Sequence, residues 1–94
     1  MFIVREEFTA RPGMASKLAK MFKEAVGDLR GYNIRILTDH IGNFNTVVME
    51  TEVAELAEFD KLMQEYMTRA DIRDRMKGYT DMYMTGRREI YKIM

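Results

Sequence analysis

Apolar and polar positions alternate over residues 2–9, 33–40, 44–53 and 87–94, whereas the segments between them repeat with a helical period. A period of two marks a strand with distinct faces, and a period near 3.6 marks an amphipathic helix. The first strand runs from Phe2 through Ile3 and Val4 to Phe8 and breaks at Ala10-Arg11-Pro12-Gly13, where Pro can open a helix. From Met14 the apolar residues Leu18, Met21, Phe22, Ala25 and Leu29 form one stripe, opposed by Lys17, Lys20, Lys23 and Glu24, with Gly31 placed as a stop.

Two strands follow, joined by Ile41-Gly42-Asn43, a connection suited to an antiparallel hairpin. A second helix is predicted from about Ala54, with Leu56, Phe59, Met63, Tyr66 and Met67 on its buried stripe. Thr68 or Asp71 can cap a further turn carrying Ile72, Met76 and Tyr79, so the region reads as a kinked helix or two consecutive helices. After Gly86 the tail from Arg87 to Met94 alternates again and forms the last strand.

This βαββαβ order predicts one α+β domain over residues 1–94, a ferredoxin-like four-stranded antiparallel sheet ordered 4-1-3-2 with both helices on one face. The opposite face then has no cover within the chain. Strand parity assigns Ile34, Ile36, Val47 and Met49 to the helices and leaves Arg35, Leu37, Asp39, Phe44, Thr46, Val48 and Glu50 on the open side. The alternates containing Arg5 and Arg87 are assigned to that side too. A face mixing Phe, Leu, Val and Tyr with Arg and Glu calls for a partner, and a second copy stacking sheet on sheet supplies one.

Composition narrows the options. At 94 residues the chain buries only roughly 60 to 65% of its unfolded surface, so a partner adds useful core. Net charge is zero, divided as +2 over residues 1–49, −5 over 50–65 and +3 over 66–94, without the concentrated basic face of a nucleic-acid binder. An RNA-recognition domain shares the element order, but Gly42 to Met49 offers one aromatic and no basic residue for base stacking. Charge appears four residues after Met1, too early for a signal peptide, and no apolar run approaches the ~20 residues of a membrane span. The absence of cysteine removes disulfides and thiol chemistry and fits a cytoplasmic protein.

Candidate chemistry is sparse. His40 is the lone side chain suited to proton transfer near neutrality, beside Asp39, although neighbouring strand residues face opposite ways and a turn-flanking histidine is the plainer account. Arg5, Glu7, Arg35, Arg87, Glu89 and Tyr91 form a candidate site for a carboxylate or phenolate. The competing account is that these Arg and Glu residues pair across strands. Of ten methionines, Met14, Met21, Met49, Met63, Met67 and Met76 fall on buried stripes, where packing explains them. One His, no Cys and scattered carboxylates give no metal site, and Gly42, Gly78 and Gly86 form no phosphate loop. No serine triad is available with Ser16 as the sole serine.

The strand Phe2 to Phe8 before Arg11-Pro12-Gly13, the helix from Met14, Leu56-Ala57-Glu58-Phe59 and the terminal Gly86-Arg87-Arg88-Glu89-Ile90-Tyr91 together resemble the dimeric α+β barrel superfamily, in particular its NIPSNAP-like and antibiotic-biosynthesis-monooxygenase-like members. The resemblance covers nearly the whole chain and implies a homodimer with an aromatic substrate or haem in its barrel. Haem-degrading members use an Asn on the first strand, a Trp on the second helix and a His beyond it. This chain has Glu7, Leu62 and the His-free stretch Ile72 to Lys77 near those places, and no Trp, so no cofactor is expected. Two functions stay open: a homodimer with an internal pocket for a small, partly apolar, anionic molecule, acting as a cofactor-free monooxygenase or isomerase, and a non-catalytic dimerisation or interaction module.

Overall fold

The computed structural model describes residues 1–27, 29 and 31–94. Its elements are β1 (Phe2–Ala10), α1 (Ala15–Gly27), β2 (Asn33–Thr38), β3 (Thr46–Val53), α2 (Leu56–Thr68), α3 (Ala70–Arg75) and β4 (Tyr83–Lys92), with a 3-10 turn at Tyr79–Asp81 before the last strand. The four strands form one antiparallel sheet in the order β2-β3-β1-β4, the ferredoxin-like α+β arrangement that the element order predicts. The smallest extent of the molecule, 18 Å, matches one sheet layer and one helix layer.

The helical stripe of α1 buries Leu18, Phe22 and Ala25 against the sheet, and α2 buries Phe59 and Leu62. On the strands the same layer is supplied by Val4 and Ala10 of β1 and by Val47, Met49, Thr51 and Val53 of β3, all buried. Ile34 and Ile36 of β2 pack onto this core, as parity predicts. The apolar core clusters therefore lie between sheet and helices, and Val48 is buried on the opposite face.

Several boundaries differ from the sequence reading, each for a local reason. The helix predicted from Met14 to Leu29 is ordered as α1 to Gly27, and part of its predicted end lies outside the described residues. The hairpin strands stop at Thr38 and restart at Thr46 because the connection closes on itself: Asp39 Oδ1 accepts from the Thr46 amide at 3.0 Å, and Asn45 takes a left-handed φ of 65°. Neither Thr68 nor Asp71 caps α3. Arg69 occupies that position with extended backbone, while Thr68 Oγ1 donates to the Gln64 carbonyl at 2.7 Å and the Asp71 carboxylate holds the Arg69 guanidinium at 2.7 Å.

The last strand starts at Tyr83, so Gly86 lies within it and pairs with Phe8. A Cβ at Gly86 would approach Phe8 Cδ1 to 3.2 Å. Gly86 is there to admit an aromatic ring, and its role is packing rather than ending a segment.

Candidate functional site

The sheet face away from the helices is built from four cross-strand rows. Register aligns Asn33, Glu52, Ile3 and Tyr91 in the first, Arg35, Glu50, Arg5 and Glu89 in the second, and Leu37, Val48, Glu7 and Arg87 in the third. Thr46, Thr9 and Thr85 form the fourth. Arg5, Glu7, Arg35, Arg87, Glu89 and Tyr91 thus share one face.

Their charges are already paired. Glu50, 8% exposed, accepts from Arg35 Nη2 at 2.6 Å on one carboxylate oxygen and from Arg5 Nη1 at 3.2 Å on the other. Arg87 donates to Glu7 at 2.8 Å and lies 3.5 Å from Glu89, which in turn accepts from the Tyr91 hydroxyl at 2.8 Å. The hydrogen bond it donates to Glu89 holds the Tyr91 phenol above its ordinary value, and the one donated to Glu7 raises the Arg87 guanidinium. Alternating signs along the second row and the Glu7–Arg87 pair of the third make this network self-satisfying, while Leu37 and Tyr91 stay 38% and 50% exposed beside it.

His40 lies in the connection after β2, exposed, and the neighbouring Asp39 carboxylate is committed to the Thr46 amide. Phe44, in the same connection, is 85% exposed. Neither belongs to the strand rows.

A larger concavity lies on the other side of the sheet, between strands and helices, with a volume of about 450 Å³. Its floor comes from Glu6 and Phe8 of β1 and Met49 of β3, its roof from Met63, Tyr66 and Met67 of α2, and its rim from Arg73 of α3 and Arg88 of β4. One end is closed by four rings in a cycle: Phe8 meets Phe22 and Tyr83 at 5.0 Å, and Tyr79 meets Phe22 at 6.1 Å and Tyr83 at 5.9 Å. A separate, shallower concavity along β4 shares Glu6, Phe8, Tyr83 and Arg88 with this one and is lined further by Met84.

Polar groups in this apolar setting are few. Glu6 accepts from Arg88 Nη2 at 2.8 Å, and the Arg88 guanidinium also lies 5.1 Å from the centre of the Phe59 ring. Tyr66 donates its hydroxyl to Met49 Sδ at 3.5 Å, a weak acceptor. Burial, reinforced by Glu6, pushes the Tyr66 phenol well above its ordinary value; burial acts likewise on Tyr79, with Tyr83 and Glu6 adding to it. Both phenols therefore remain protonated donors. Among the described residues no cluster of His, Cys, Asp or Glu is arranged to hold a metal ion, and no helix is long and apolar enough to cross a membrane.

The sequence reading placed Met63, Met67, Tyr66 and Tyr79 on buried stripes without seeing that they line a concavity. The signal was the excess of Met and Tyr in the second helical region, which packing explains equally well.

Solved structures with this arrangement are numerous. An uncharacterised NIPSNAP domain protein from Burkholderia xenovorans superposes with a TM-score of 0.81 at 10% identity, over 100% of this chain and 95% of that one. A NIPSNAP family protein from Agrobacterium tumefaciens gives 0.80 at 14%, over 100% and 94%. A putative antibiotic biosynthesis monooxygenase from Chloroflexus aurantiacus gives 0.77 at 8%, over 99% and 92%. The chain has the fold of the NIPSNAP and antibiotic-biosynthesis-monooxygenase-like proteins. No protein-family model matches its sequence, and no curated protein does. With identities this low, what is shared with the NIPSNAP proteins is backbone architecture, and the site must be argued from this chain's own residues.

Proposed function

We propose that the chain works as a homodimer, its open sheet face covered by a second copy, and that the groove between sheet and helices binds a small, partly apolar, anionic molecule. The ligand reading rests on the groove itself: about 450 Å³ of largely apolar and aromatic lining with convergent polar groups, within the size range of small-molecule sites. On such a molecule the chain acts as a cofactor-free monooxygenase or isomerase. Glu6 is the one carboxylate in the lining and can accept a proton, while Tyr66, resting on a thioether, can turn to a stronger acceptor and stabilise a developing enolate or phenolate oxygen. Proton removal and return constitute an isomerisation, and a stabilised carbanion is also what reaction with dioxygen requires. Structural neighbours bearing the monooxygenase name support this choice of chemistry.

The dimer is supported by the mixed face, where Leu37 and Tyr91 stand exposed among paired charges. Between two sheets, Arg5, Glu7, Arg35, Arg87, Glu89 and Tyr91 would be enclosed as candidate ligand contacts, and His40 is retained as a proton-transfer candidate. That all three arginines of this face are already matched by glutamates favours the second reading, a non-catalytic dimerisation module.

The two readings separate in a thermal-shift screen of the purified protein against small aromatic and aliphatic acids. A ligand-dependent rise in Tm that follows mass action and is lost when Met49 is replaced by a bulkier Phe supports the pocket. A dimer that no compound stabilises supports the module. Unaltered binding and turnover in His40→Ala removes His40.

A further inference from the structure

Three charged side chains reach the groove, and two of them neutralise each other. Glu6 and Arg88 pair at 2.8 Å. Arg73, exposed on α3 at the rim, forms no ion pair among the described residues. Among the described residues the groove therefore offers a single uncompensated positive charge at the edge of an apolar interior. Its tyrosines do not supply the missing negative charge, because Tyr66 and Tyr79 are neutral donors.

We propose that Arg73 anchors the carboxylate of an elongated apolar monocarboxylate whose body lies along the methionine and aromatic lining. This inference rests on the reading of the groove as the ligand site. Charge balance selects the headgroup: one carboxylate matches one free guanidinium, whose fork can receive both oxygens. A phosphate monoester carries close to two negative charges. Its second charge would find no second unpaired cation in the lining among the described residues, since Arg88 is held by Glu6. The body is selected by Met63, Met67 and Met76, whose unbranched thioethers reshape around flexible aliphatic chains more readily than rigid walls do.

The test titrates decanoate and decanamide, each below its aggregation limit, into wild-type protein, Arg73→Gln and Arg73→Lys, following heat or intrinsic tyrosine fluorescence. Arg73 is surface-exposed, so its variants are expected to fold, with circular dichroism as the check. Wild type is expected to bind decanoate about tenfold more tightly than decanamide. Arg73→Gln is expected to abolish that preference while leaving decanamide binding unchanged, and Arg73→Lys to retain part of it. A carboxylate preference that survives in Arg73→Gln overturns the anchor and leaves the groove as a ligand site. Failure of both compounds to bind wild type overturns the anchor together with the groove reading.

Discussion

Thr51 occupies a position between Val4 and Ile34 in the buried layer, 1% exposed, and its hydroxyl finds no hydrogen-bond partner among the described residues. An unpaired buried hydroxyl costs free energy that a methyl of the same shape does not. Thr51→Val is therefore expected to stabilise the protein by about 1 kcal/mol. Urea denaturation checks this: the midpoint should rise at unchanged slope, and a lower midpoint would mean that the hydroxyl has a role in the fold. Glu50, the adjacent residue on the opposite face, shows the contrast, since both of its carboxylate oxygens receive a guanidinium. Residue type was readable at both positions. Satisfaction was not, because partners come from strands 15 to 45 residues away.

At the scale of elements, β1 and β4 are coupled by the pairing of Phe8 with Gly86. The Phe8 ring fills the space a side chain at 86 would need and is itself held by Phe22 and Tyr83. Gly86→Val is expected to force the ring aside at a cost of about 1 to 3 kcal/mol and to disturb the aromatic end of the groove. Thermal unfolding of the variant measures the first effect; a Tm equal to wild type would show that the ring has room to move. The start of β4 was missed in the sequence because Gly commonly punctuates segments, and only the facing ring reveals a glycine retained for close packing. The break between α2 and α3 was legible as a kink, but its residue, Arg69, was not, since it carries none of the usual capping side chains.

For the whole molecule, the proposed dimer turns on the open face. Leu37 and Val48 lie side by side there, with Leu37 exposed and Val48 buried. Leu37→Asp introduces a charge that a solvated face tolerates and a sheet-on-sheet interface does not. Light scattering at micromolar concentration is expected to give the mass of two chains for wild type and of one for the variant. A single-chain mass for wild type would end the dimer proposal.

The two periodicities by themselves determined the element order and which alternates of β2 and β3 share a face, because side-chain direction along a strand or helix is a local geometric property. That order with right-handed crossovers then predicted the sheet topology. Parity likewise brought Arg5, Arg35 and Arg87 to one face. The tertiary structure alone decided that these arginines spend their charge on Glu50 and Glu7, and that the larger concavity opens on the helix side between Glu6, Tyr66 and Arg73. Register and the separation of helices from the sheet arise from packing between distant segments, and no local pattern encodes the space that such packing leaves unfilled.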